Sequence, residues 1–348
     1  MEKLSIALIS GGTSSERQVS IDSGEQVYNA LDKDKYQPVR YDPKTDLARL
    51  VNDAPKIDAA LVILHGPMGE DGTIQGMLDL LEIPYQGSGV IGSAMAMDKL
   101  ASKHLYEHAD IPVTPYVALT DSDPVNEKTI VRQLGLPLVV KPSAAGSSIG
   151  MSIVKTTEAL APAIALAFKE DKTVLIESFI TGIELTCSVV GNDDLVAYPL
   201  IEIIPEQGHE FFDYESKYVP GAAREICPAR IDDALAKQAK DYAIMAHKAL
   251  FCRGYTRTDL ILSGRDLYVI ETNTIPGMTK TSLMPQSAAA VGISFTELLD
   301  ILISLSLEDH LHKRHLNDHK RLERIKRISA EHSTKHSALS TSNPAKPD

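Results

Sequence analysis

The sequence predicts an α/β protein in which a parallel-sheet domain over residues 1–100 precedes a longer α+β region. Three observations lead there. The chain has 348 residues, too many for one ordinary core and enough for two or three domains. Residues 1 to about 100 alternate apolar strand runs with helical stretches, the pattern of βα units in a parallel sheet covered on both faces. Further on, the apolar runs Leu260 to Leu262 and Leu267 to Ile270 flank Ser263-Gly264-Arg265-Asp266, the spacing of an antiparallel hairpin with a tight turn.

Each element can be justified in turn. Leu4 to Ile9 reads as a buried strand, and Gly11-Gly12-Thr13-Ser14-Ser15 turns from it into a helix starting near Glu16. The pattern recurs with a strand over Ala59 to Leu64, a loop from His65 to Gly72 and a helix from Thr73. Ligand sites of parallel sheets lie outside the carboxyl ends of the strands, where both Gly-rich loops fall. Gly11-Gly12 alone serves an ordinary turn as readily as a ligand, and no G-x-G-x-x-G fingerprint follows. Glu16 is either a favourable partner of the helix dipole or a ligand contact. His65, among glycines and acids, reads as a ligand contact rather than a core residue.

A second unit begins near Met97-Asp98-Lys99, with a helix over Lys103 to Ala109. Leu136 to Pro142 is a strand that reaches Lys141, followed by Ser143-Ala144-Ala145-Gly146-Ser147-Ser148-Ile149-Gly150. This small-residue loop suits approach to a phosphate and closure as a lid, or a plain hairpin turn; it lacks the G-K-[ST] end of a Walker A loop. Thr173 to Glu177 is a strand, residues 179–182 a hinge, and Glu184 to Val190 a returning strand. Such a crossing either holds an adenine by its backbone, with Glu177 and Glu184 at the polar edges, or is an ordinary β-connection. Residues 210–221 form an aromatic and charged loop, Asp232 to Leu250 an amphipathic packing helix, and Leu298 to Leu307 closes the globular part.

The hairpin carries chemistry. Glu271 and Asn273 share a face by period two, and a paired strand brings Asp259 beside them. Two carboxylates and an amide oxygen form a hard-oxygen site suited to Mg2+, which keeps waters and takes further ligands from nucleotide phosphates. Arg257, of the same parity as Asp259, places a cation beside that site. A solvated acidic face is the alternative, but it explains poorly why acids end a buried hairpin and run into Asn273-Thr274-Ile275-Pro276-Gly277.

Composition narrows the classes. Hydrophobic content of 43% and charged content of 24% are those of a soluble globular protein. A formal charge of −12 argues against a nucleic-acid-binding body. Three cysteines, Cys187, Cys227 and Cys252, show neither pairing nor metal spacing, which points to a reducing compartment. The run Leu4 to Ile9 is too short for a secretory h-region or a membrane span, so a cytoplasmic protein with no membrane partner is expected. The last 40 residues differ, with nine Lys/Arg, five acids and six of the eleven histidines. They read as a flexible polar tail containing a short basic helix near residues 317–328, and their histidines as solvated rather than metal-bound.

With these pieces placed, residues from about 4 to 305 resemble the D-alanine–D-alanine ligases of the ATP-grasp superfamily. The motifs, in order, are GGTSSERQVS at 11–20, HGPMGEDGTIQG at 65–76, MDK at 97–99, VVKPSAAGSSIGM at 139–151, DYESKY at 213–218, RTD at 257–259 and ETNTIPGMTKTSLMP at 271–285. The resemblance implies a Rossmann-like domain over 1–100 and a two-lobed α+β ATP-grasp domain over 101–305, its lobes about 101–182 and 183–305. A basic, disordered tail over 306–348 follows, about which the family says nothing.

The resemblance also implies an activity: two D-alanines joined through a D-alanyl phosphate at the cost of one ATP, for peptidoglycan precursor synthesis, by a homodimer. Two Mg2+ or Mn2+ ions would sit on Asp259, Glu271 and Asn273, bridging phosphates. Lys99, Lys141 and Ser148 match the phosphate-holding positions, Glu177, Ile180 and Glu184 the adenosine site, and Lys217 a γ-phosphate contact. Glu16 matches the carboxylate for the first D-alanine's ammonium, with His65 near that substrate's carboxylate. Arg257 and the Gly277 N–H match the oxyanion stabilisers, and Ser282 and Leu283 the second-substrate carboxylate site. Glu16, Ser147 and Tyr218 match a hydrogen-bonded set that excludes water from the acyl phosphate. Tyr218 accompanies dipeptide formation in the family, where Phe or His favours a hydroxy acid, so depsipeptide synthesis is the alternative. Ala144-Ala145 departs from the larger polar residues of many relatives, and weaker ordering of the lid over the nucleotide is expected. A nucleotide-binding regulator without turnover and another ATP-grasp ligase are the competing classes; the intact phosphate, metal and oxyanion groups oppose the first, and Glu16, His65 and Ser282 the second.

Overall fold

The computed structural model describes residues 3–144, 146, 149–205 and 223–314. The chain opens with β1 (Leu4–Ile9), α1 (Arg17–Ala30), β2 (Tyr36–Tyr41), α2 (Leu47–Asp53), β3 (Ala59–Val62) and α3 (Thr73–Leu80). The strands form a parallel sheet in the order β2-β1-β3, with Leu4 opposite Tyr36 and Ile6 opposite Ala59. β1 shows why such a strand is apolar throughout. Leu4, Ile6 and Leu8 enter one core, while Ala7 and Ile9, on the other face, enter a second with Leu50, Leu78 and Ile83. The first core is completed by Leu298, Leu302 and Ile303 from the far end of the chain.

The next layer holds α4 (Val90–Met97), α5 (Lys99–His108), β4 (Tyr116–Thr120), α6 (Glu127–Leu134), β5 (Leu138–Pro142), β6 (Ser152–Val154), α7 (Leu160–Ala167) and β7 (Thr173–Ser178). Its sheet is antiparallel in the order β4-β7-β5-β6. Leu160, Ala163, Ile164 and Ala167 of α7 pack on Leu138, Val140, Val174 and Ile176. Gly182, at the hinge after β7, lies so close to the hairpin that a Cβ there would sit 2.3 Å from the Leu262 carbonyl oxygen.

The third sheet comprises β8 (Ile183–Gly191), β9 (Val196–Ala197), β10 (Ile201–Pro205), β11 (Ala223–Ile226), β12 (Gly254–Ser263) and β13 (Asp266–Asn273). The strand order is β11-β10-β8-β12-β13, with β9 on β8. Helix α8 (Asp233–Ala249) buries Leu235, Ala239, Ala243 and Ala246 against Leu260, Leu262, Leu267 and Val269. Asp232 caps it by accepting from the Ala234 and Leu235 N–H groups. Helices α9 (Leu283–Ala289) and α10 (Phe295–Arg314) complete the chain.

A bulge in the hairpin decides which side chains reach the site. Asp259 pairs with Glu271, yet Leu260 pairs with Val269, so Ile270 is an extra residue in β13. Strict alternation would put Glu271 and Asn273 on the face of Leu267 and Val269, in the core under α8. The bulge reverses the parity and turns both polar residues outward beside Asp259 and Arg257.

Some expectations need revising. The helix expected over Lys103 to Ala109 begins at Lys99, because Asp98 caps it by accepting from the Leu100 and Ala101 N–H groups. The last helix continues beyond residue 305 to Arg314: Ser306 and Leu307 are buried, and Asp309 pairs with Arg253 at 2.8 Å. Order therefore extends into the stretch expected to be a disordered tail. The loop at 210–221 and the basic helix near 317–328 lie outside the described residues. No helix among the described residues is long and apolar enough to cross a membrane.

Candidate active site

The three sheets surround a cleft of about 570 Å³, and every described residue expected to hold substrate, nucleotide or metal lines it. Along its wall stands the hairpin. Asp259 accepts from Arg257 Nε and Nη2, both at 3.1 Å, from Thr186 Oγ1 at 2.6 Å and from Asn273 Nδ2 at 3.3 Å. Glu271, directly opposite on the ladder, is 3.6 Å from Lys99 Nζ. Behind them, Thr272 links to Thr258 at 2.9 Å and to the Tyr106 hydroxyl at 2.8 Å, anchoring the hairpin to α5. No group of three His, Cys, Asp or Glu residues placed to hold a metal occurs among the described residues. The donor set here is two carboxylates and an amide, all hard oxygens, which fits an ion that takes its remaining ligands from phosphates and water.

One end of the cleft belongs to the Gly-rich loops, where His65 lies within reach of the Arg257 charge. Glu16 sits at the start of α1 without capping it. A Cβ on Gly66, which holds φ at +72°, would meet its Oε2 at 2.9 Å, and one on Gly146 at 3.5 Å, so this carboxylate lies between the His65 loop and the lid. Arg17 fixes the loop before it, donating to the Gly12 carbonyl at 2.6 Å and to Asp42 at 2.6 Å and 3.0 Å. That fork holds the Asp42 carboxyl down at about 2. His65 is buried, and its Nε2 has no hydrogen-bond partner among the described residues. Burial lowers its pKa against the pull of Glu16, so the ring is neutral. Next to the hairpin, Ser282 Oγ accepts from the Thr279 N–H at 3.0 Å and sits where a Cβ on Gly277 would meet it at 3.0 Å. Leu283 packs on Ile201 and Ile203.

The other end is built on Glu177, which is 3% exposed. Its Oε1 lies 3.0 Å from Lys141 Nζ and 3.2 Å from Lys103 Nζ, and its Oε2 accepts from Thr114 Oγ1 at 2.9 Å. Burial alone would raise this carboxyl's pKa; Lys141 and Lys103 bring it below its ordinary value. Ile180 and Glu184 line the same end. The two lysines expected at phosphates thus separate, Lys99 beside Glu271 and Lys141 beside Glu177. Ser147, Ser148, Lys217 and Tyr218 lie outside the described residues, as does Ala145.

Family models for the D-ala D-ala ligase C-terminus and N-terminus match residues 105–304 and 40–88. The chain belongs to the D-alanine–D-alanine ligase family. It is 59% identical over 308 residues to the D-alanine–D-alanine ligase of Syntrophobacter fumaroxidans, a match covering 88% of this chain and 99% of that one. The corresponding protein of Desulfotalea psychrophila is 56% identical over 310 residues, covering 88% and 96%. Among solved structures, the Bacillus anthracis ligase complexed with ATP superposes with a TM-score of 0.78 at 35% identity, covering 89% of this chain and 99% of that one. The Coxiella burnetii enzyme does so with a TM-score of 0.77 at 29% identity, covering 90% and 98%.

Three residues of this family member line the cleft or brace its walls without having been singled out in the sequence. Glu70 accepts from the Gly66 N–H at 2.6 Å, and burial pushes its carboxyl up to about 8. Glu225 of β11 lines the cleft and accepts from Gln286. Lys103 is 1% exposed. The acid in the His65 loop was a usable signal for Glu70. For Lys103 there was none, because a lysine on a helix reads as surface until the fold buries it.

Proposed function

We propose that the chain is an ATP-dependent ligase that joins two D-alanines into D-alanyl-D-alanine for peptidoglycan precursor synthesis, using Asp259, Glu271 and Asn273 at a metal–phosphate centre. The observation that carries the site is Asp259 opposite Glu271 in the wall of a cleft that also holds Glu177. A nucleotide laid along the cleft puts its base at Glu177, Ile180 and Glu184 and its phosphates at the hairpin, with Lys141 and Lys99 spaced along it. Two Mg2+ or Mn2+ ions held by Asp259, Glu271 and Asn273 supply charge neutralisation for phosphoryl transfer.

This chain's own groups do the rest. Glu16 pairs with the ammonium of the first D-alanine, and His65 lies near its carboxylate. An oxygen of that carboxylate attacks the γ-phosphorus of ATP, ADP leaves, and an acyl phosphate forms. Ser282 and the Leu283 N–H orient the second D-alanine, whose amine attacks the acyl carbon and expels phosphate. Arg257 and the Gly277 N–H stabilise the oxyanion on the way. In this reading Ser147 and Tyr218 join Glu16 in keeping water from the intermediate, Ser148 and Lys217 contact the nucleotide, and Tyr218 selects an amine over a hydroxy acid. The reaction belongs to the cytoplasm, in keeping with three free cysteines. A homodimer is favoured by exposed Val90 and Ile91 on α4 and by exposed Phe251, whose carbonyl lies against Gly92.

The test is phosphate release from ATP and Mg2+ with D-alanine alone and with D-lactate added, the products identified by mass. D-alanyl-D-alanine as the main product in both is expected. A dominant depsipeptide overturns the specificity, and turnover independent of D-alanine overturns the function.

A further inference from the structure

Lys103 is the most deeply buried cation in the cleft wall, and its contacts have a directional consequence. Its Nζ lies 2.7 Å from Thr114 Oγ1, 3.2 Å from the Thr114 carbonyl oxygen and 3.2 Å from Glu177 Oε1. An ammonium can only donate, so Thr114 Oγ1 must accept from Lys103. The single hydroxyl proton of Thr114 is then committed to Glu177 Oε2 at 2.9 Å. Lys141 closes on Oε1 from the other side at 3.0 Å. Every neighbour of the carboxylate is therefore a donor or a cation, and Glu177 can offer only acceptor positions to whatever enters the cleft.

We propose that Lys103 is a positioning residue that, through Thr114 and Glu177, makes this end of the cleft select a 6-amino purine over a 6-oxo purine. The proposal rests on the reading of Glu177 as the nucleobase contact. An exocyclic amino group donates into the acceptor edge. A 6-oxo group meets it oxygen to oxygen, with no proton between them, and is refused. Lys103 itself never touches the base. It holds the carboxylate ionised and turns the Thr114 hydroxyl, so the discrimination is set one residue away from contact.

ATP and ITP differ at this edge, which makes them the probe pair. D-alanine-dependent phosphate release is measured with each, for wild type, Glu177→Gln and Lys103→Met. Glu177→Gln adds an N–H donor and is expected to shift preference toward ITP; an unchanged ratio there overturns the base-contact reading itself. Lys103→Met is expected to lower the ATP/ITP ratio of kcat/KM roughly tenfold, about one net hydrogen bond, through the KM for ATP. Its KM for D-alanine stays unchanged. A folded Lys103→Met protein with the wild-type ratio, alongside an altered Glu177→Gln ratio, overturns the inference alone. Should Lys103→Met not fold, Thr114→Val deletes the hydroxyl relay while keeping Lys103. The same fall in ratio is expected there, and an unchanged ratio overturns the proposal.

Discussion

The two ends of the proposed nucleotide path, Glu177 and the hairpin, hold their carboxylates in opposite ways. Glu177 is 4% exposed in its side chain and fully compensated by two lysines and a hydroxyl before any ligand arrives. Asp259 and Glu271 are 21% and 23% exposed and share Arg257 and Lys99 between them. The buried end is pre-organised to read a neutral group by direction. The open end, in the proposed reading, keeps charge in hand for ions that arrive with the phosphates. A third carboxyl, Glu70, also lines the cleft, where burial pushes it up to about 8. One cleft thus holds a carboxyl lowered by two lysines and another raised by burial, each set by its immediate neighbours.

The open end should be the more sensitive to loss of a single donor. Arg257→Lys keeps the charge but loses the planar fork on Asp259, and kcat is expected to fall about 10²- to 10³-fold, the scale of one oxyanion donor. A change of less than about threefold would remove the functional difference between the ends. A smaller effect sharpens the position of Glu70. Its pKa is raised in the folded state, so the stability tied to its proton is full below about 4.5 and is lost as pH rises toward 8. Glu70→Gln has no such loss. Its melting temperature relative to wild type is expected to be higher at pH 8 than at pH 5 by several degrees, for a difference of about 3 kcal/mol. A gap independent of pH would mean the carboxyl ionises normally.

The difference between the ends also explains what was legible in the sequence. Local patterns gave the βα units, the hairpin and the strand–hinge–strand crossing, because burial on one or both faces imposes a period that composition reveals. Asp259, Glu271 and Asn273 were singled out by parity, and they share a face only through the extra residue Ile270. Read strictly, Glu271 shares a face with Leu267 and Val269, and nothing in the residues announces a bulge. The Glu177 end was half visible. Lys141 and Glu177 stand at the ends of apolar strands, whereas Lys103 and Thr114 join them only by long-range packing. Residues 306–314 read as tail because charge and histidine dominate them; Leu307 and the Arg253–Asp309 pair tie them to the body instead.

The central claim is that the bulged hairpin is a metal site completed by nucleotide. The direct measurement is Mn2+ binding, followed by electron paramagnetic resonance, in the full chain with a non-hydrolysable ATP analogue, for wild type and for Glu271→Gln. Wild type is expected to bind Mn2+ tightly only when the analogue is present, and Glu271→Gln to lose at least about tenfold in that affinity while folding normally. Equal Mn2+ binding by the two proteins would contradict the account.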